Sequence, residues 1–101
     1  MINPDILADI TLYDTEQGGR KSPTPADQFN CPIDIDGVKH DCRLLLKNIG
    51  PLIPGEKKIN VPIKFLCPEI VLPKISIGKL FYLCEIGIIG EGLVSRIIMN
   101  N

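Results

Sequence analysis

The sequence predicts an all-β domain of about six short antiparallel strands, closed as a barrel or layered as a sandwich. Three observations predict it. The composition is led by Ile, Val, Leu, Pro and Gly rather than by helix formers. Apolar and polar residues alternate with period two in several short runs. Glycine and proline pairs punctuate those runs at turn-like intervals. The chain has 101 residues, enough for one domain with one core, and its 45% hydrophobic content is too high for disorder. We therefore expect a single domain over residues 1–101, with its core in 8–98.

The first strand is expected at 8–13, with Ala8, Ile10 and Leu12 turned inward. Residues 14–27 read as a long loop carrying Gly18-Gly19, Pro23 and Pro25. Asp36-Gly37 is a strong hairpin signal between strands at 28–35 and 38–47. Pro32 leaves a gap in the first of these, which points to an edge or a bulge. After a turn region at 48–56, residues 57–66 form the clearest two-faced strand, with Ile59, Val61, Ile63 and Phe65 expected inside. Residues 68–75, with Pro68 and Pro73, read as an irregular crossing. The last two strands are expected at 79–86 and 91–98, joined near Gly87 and Gly90. No helix is expected.

The net charge of −1 gives no general drive toward nucleic acid, although 11 Lys and Arg leave room for a local basic face. No apolar run reaches membrane-spanning length, and residues 1–5 lack the marks of a secretory signal, so the expected compartment is the cytoplasm. Cys31, Cys42, Cys67 and Cys84 include no C-x-x-C pair, which argues against a zinc ribbon. In the cytoplasm the thiols are expected reduced. A two-residue Asp36-Gly37 turn would set Cys31 opposite Cys42, with His40 on the same face as Cys42; a four-residue turn would set Cys31 opposite His40. Either gathers two cysteines and a histidine, but no fourth ligand and no acidic orienter accompany them, so neither a metal site nor a catalytic group is assigned.

The turn residues, taken in order, form a recognisable series: Glu16-Gln17-Gly18-Gly19-Arg20-Lys21-Ser22-Pro23, Gln28-Phe29, Asp34-Ile35-Asp36-Gly37, Ile53-Pro54-Gly55-Glu56, and Phe81-Tyr82-Leu83-Cys84-Glu85 followed by Gly90-Glu91-Gly92-Leu93-Val94. The series resembles the C-terminal β-barrel domain of elongation factor Tu over residues 8–98. The resemblance implies a closed six-stranded antiparallel β-barrel and a free-standing copy of that domain without its GTPase domain. No phosphate-cradling G-x-x-x-x-G-K-[ST] segment is present, so no GTP binding is expected. The resemblance places Arg20 and Lys21 where the family meets tRNA backbone, whereas Cys84 stands where its motif has Arg.

The expected function is a non-catalytic binding module with a protein partner and no cofactor. The candidate surfaces are the Arg20–Pro25 loop and the apolar 65–73 segment. The alternative is an RNA-binding role on a tRNA stem through Arg20, Lys21, Lys58 and Lys64, the two last sharing one face of the fourth strand. A homodimer, through a face that a neighbouring domain would otherwise cover, is left open.

Overall fold

In the computed structural model, which describes residues 3–98, six strands form one closed barrel in the order β1-β4-β3-β2-β5-β6. The strands are β1 (Ile6–Leu12), β2 (Gln28–Ile35), β3 (Val38–Leu45), β4 (Lys57–Phe65), β5 (Leu80–Cys84) and β6 (Ile88–Ile97). Every paired neighbour is antiparallel. Closure satisfies both ladder edges of the sheet, the main hazard of a small β domain. The expected domain ends, Met1-Ile2 and residues 99–101, lie outside the described residues. No helix among the described residues is long and apolar enough to cross a membrane, which says nothing of strands.

Period two drives the inner face. Ile6, Ala8, Ile10 and Leu12 of β1 point inward and are fully buried, meeting Ile33, Ile35, Leu44, Ile63, Phe81 and Leu83. The Asp36-Gly37 turn has two residues, both at positive φ (52° and 86°), because Ile35 pairs directly with Val38. That register sets Cys31 opposite Cys42 and His40 opposite Ile33. Pro32 lies inside the closed sheet, not on an edge. It sits just beyond the short β2–β5 ladder, which holds only Ile33 opposite Leu83 and Asp34 opposite Tyr82, so its missing N–H costs no bond there.

Further expectations are corrected. Ile59 is not in the core but 64% exposed. Asn60 adopts φ 53°, and the β1–β4 register shifts between Ala8 and Ile10. This bulge adds a residue to β4 and breaks the alternation, so Val61, Ile63 and Phe65 stay inside while Ile59 turns out. The bulge is pinned from outside, where the Asn60 amide donates to Asp9 Oδ1 at 3.0 Å and Ser95 Oγ donates to Asn60 Oδ1 at 3.0 Å. The 68–75 crossing is not irregular. It forms a single α turn, α1 (Pro68–Val71), then a 3-10 turn at Leu72–Lys74. Pro68 starts α1 at a position where no backbone N–H is needed.

β6 begins at Ile88, earlier than expected, and Gly90 and Gly92 lie within it, facing inward. Gly92 pairs with Phe81, whose ring lies over it. A Cβ at Gly92 would sit 2.3 Å from Phe81 Cζ and 2.8 Å from Ile10 Cδ1. A small barrel has room for one large ring at this level, and the glycine makes that room.

Gly92→Ala is therefore expected to destabilise the fold by about 1–3 kcal/mol. In a urea-denaturation double-mutant cycle with Phe81→Leu, the two costs should sum to more than the cost of the pair. The bulge phase is checked separately: Ile59→Ser should change stability by less than about 0.5 kcal/mol, whereas Ile63→Ala should cost about 2–5 kcal/mol.

Candidate functional site

The 14–27 loop is built locally before it is tied down. Asp14 caps the Thr15–Gln17 turn reciprocally: Gln17 N donates to Asp14 Oδ1 at 3.0 Å, and Asp14 N donates to Gln17 Oε1 at 3.2 Å. Gly19 must be glycine, since a Cβ there would fall 2.0 Å from the Tyr13 carbonyl oxygen. Thr24 is buried and locks the loop to the 48–56 turn. Its amide donates to Leu52 O at 3.0 Å, and its hydroxyl accepts from Leu52 N at 2.9 Å.

Arg20 is consumed by this loop. Its guanidinium lies over the Phe29 ring at 5.2 Å. Nε donates to Ser22 O at 3.2 Å, Nη2 to Pro23 O at 3.4 Å, and Nη1 pairs with Glu85 Oε2 at 2.8 Å. The fork geometry of arginine suits it to hold two carbonyls and a carboxylate at once. Glu85 lies 65 residues away in sequence, and no local signal in the sequence connects the two.

Lys58 and Lys64, the two candidate lysines of β4, are engaged as well, and the bulge at Asn60 interrupts the alternation between them. Lys58 Nζ donates to Ile49 O, Gly50 O and Pro51 O at 2.7, 3.2 and 2.9 Å, capping the bare carbonyls of the 48–51 turn. Lys64 Nζ pairs with the buried Asp5 carboxylate at 3.1 Å, which also accepts from Phe65 N at 2.9 Å. Lys79 chelates both oxygens of Asp36 at 2.7 and 2.8 Å. Lys21 is exposed beside Arg20. Of the four candidate cations, it is the one with no hydrogen bond or ion pair among the described residues.

The 65–73 segment has a different character. Phe65 and Val71 are buried and anchor it, while Leu66 and Ile70 are 65% and 55% exposed. They flank a recess of about 180 Å³ whose other wall is Lys39, His40 and Asp41 of β3. Lys74 Nζ stands 3.2 Å from His40 Nε2 at the same place. Leu66 also borders a cavity of about 230 Å³ that reaches Cys31 and Cys42. A wider groove of about 540 Å³ opens where β3 and β4 part beyond Leu44 and Ile63, between Leu45, Ile49, Pro4 and Pro62.

Among the described residues, no group of three or more His, Cys, Asp or Glu is placed to hold a metal ion. His40 faces Lys74, not the thiols. Cys31 and Cys42 are free and buried, with Cys42 Sγ donating to Cys31 O at 3.3 Å. Hydrogen bonding to the Cys31 side chain, and then burial, hold the Cys42 thiol pKa well above its ordinary value. Burial raises that of Cys84, and burial with the Glu91 hydrogen bond raises that of Tyr13. Comparison with protein-family models finds no match to this chain, and no curated protein matches it.

These groups keep their protons in the fold after the unfolded chain has begun to lose them, so the stability they contribute is complete below about pH 8.5 and shrinks as pH rises above it. Thermal melts under reducing conditions should show Tm falling from about pH 8 to pH 10, with a shallower fall in Cys42→Ala. Arg20→Ala should cost about 1 kcal/mol and speed proteolytic nicking of the 14–27 loop, and Arg20→Lys should restore only part of the protection.

Proposed function

We propose that this chain is a non-catalytic protein-binding module of the elongation factor Tu C-terminal barrel type, engaging its partner through the 65–73 segment. The observation that carries the reading is the pair Leu66 and Ile70, held out to solvent on a segment that Phe65 at the end of β4 and Val71 of α1 anchor in the core. Two large aliphatics on an anchored turn beside a recess resemble the apolar centre of a protein interface. His40, Lys39 and Asp41 supply a polar rim.

The RNA alternative draws on Arg20, Lys21, Lys58 and Lys64. Three of these four spend their charge on partners within the chain, and a cation already paired contributes little to phosphate affinity. A barrel interior filled by side chains leaves the outer surface as the working part, which supports a binding role over catalysis.

An affinity pull-down from host lysate tests the reading, run with and without nuclease and with a Leu66→Ser/Ile70→Ser variant in parallel. A protein partner that survives nuclease and is lost in the variant, whose circular dichroism stays that of the parent, is the expected result. Loss of every partner on nuclease treatment would move the assignment to RNA, and retention by the variant would remove the 65–73 segment as the binding surface.

A further inference from the structure

We propose that Cys31 and Cys42 are a disulfide-forming pair, which an external small-molecule disulfide of the glutathione type oxidises to lock the β2–β3 hairpin. The two residues are directly opposite in the ladder and point to the same, inner face. Directly opposed antiparallel residues have Cα atoms about 4.5–5.5 Å apart, inside the roughly 4.4–6.8 Å window a disulfide needs. The thiol of Cys42 already lies 3.3 Å from the Cys31 carbonyl oxygen. Both sulfurs are reduced and lie in the core.

Burial alone would keep an oxidant out, and the uneven ladders supply the access. β2 and β3 pair continuously from Gln28 opposite Leu45 to Ile35 opposite Val38. The ladders that tie the hairpin to the rest of the barrel are shorter, Ile33 and Asp34 to β5 on one side and Cys42, Arg43 and Leu44 to β4 on the other, with the Leu66 N to Asp41 O bond and the Lys79–Asp36 ion pair beside them. Lifting the hairpin as a unit exposes Phe29, Ile33, Ile35 and Leu44 but leaves the β1–β4, β1–β6 and β5–β6 ladders intact, so it costs less than global unfolding, and the hairpin's own register keeps the two sulfurs together. A recess beside Leu66, bordered by both cysteines and by the exposed Asn30, Asp41 and Arg43, lies on the outer side of the same stretch of hairpin. Cys84 belongs to β5, from which the hairpin separates, and Cys67 lies beyond the end of β4.

The chemistry balances without any further reactant. One protein thiolate attacks a sulfur of the external disulfide, forming a mixed disulfide and expelling one small thiolate. The second protein thiolate attacks the protein-side sulfur, forming Cys31–Cys42 and expelling the other. The two protons given up by the protein thiols pass to the two leaving thiolates. The protein pair is oxidised by two electrons and the external disulfide is reduced to two thiols. Cross-linking β2 to β3 removes freedom from the unfolded chain and stabilises the barrel.

The test is equilibration of the full chain, and of a Cys67→Ser/Cys84→Ala variant, in buffers of oxidised and reduced glutathione. Intact mass, non-reducing peptide mapping and thermal melts are the readouts. The expected result in both proteins is loss of two hydrogen atoms, a bond mapped to Cys31–Cys42, and a Tm higher by about 10 °C that reverts with dithiothreitol. The full chain carries the test by itself if the variant does not fold. The proposal is overturned if the chain stays reduced at oxidising equilibrium, if glutathione adducts accumulate without an internal bond, if the bond maps to Cys67 or Cys84, or if Tm fails to rise.

Discussion

A six-stranded barrel has a narrow interior, and most of this structure follows from filling it. The space inside is set by strand number and tilt. At the level of β5 and β6 it holds the Phe81 ring only because Gly92 offers no side chain against it. Gly90 does the same for the Thr11 carbonyl and Leu12 on the neighbouring strand. With these two positions bare, the inner faces of β1, β4 and β5 can carry Ile, Leu and Phe at nearly every inward site. The packing leaves most of the charged side chains on the outside, in loops, turns and the outer strand faces.

The outer surface is governed by a second economy, the pairing of charge. Lys58 closes a turn whose carbonyls have no ladder partner, Lys64 neutralises the buried Asp5, and Arg20 joins its own loop to Phe29 and Glu85. Each of these cations serves the fold before it can serve a ligand. The exposed aliphatics at Leu66 and Ile70 have no such internal use, which is why the functional reading rests on them.

Stability is distributed unevenly around the ring. β1 is paired along most of its length on both sides. The β2–β3 hairpin is long and continuous within itself and briefly attached on either flank. Local opening concentrates where few ladder bonds must break, and the buried thiol pair sits in that hairpin. A core position and a chemically addressable one thus coincide.

Local pattern determined a good deal. The inward residues of β1, the Asp36-Gly37 hairpin and the need for turns near Gly55 and Gly87 follow from period two and from the conformational demands of glycine, all set by neighbours in the chain. The all-β class and the strand order in sequence were legible for the same reason. What tertiary structure alone decided involves residues far apart. Ile59 faces solvent because Asp9 and Ser95 hold Asn60 in a bulge, and neither is near it in sequence. The choice between the two hairpin registers, and so the meeting of Cys31 with Cys42, was open until Ile35 was seen to pair with Val38. Arg20, Lys58 and Lys64 carry the same charge in the sequence whether free or paired. The barrel brings Glu85 to Arg20 and Asp5 to Lys64 across 65 and 59 residues, and the folded 48–56 turn brings the 49–51 carbonyls to Lys58, because hydrogen bonds are decided by distance in space and the sequence records only distance along the chain.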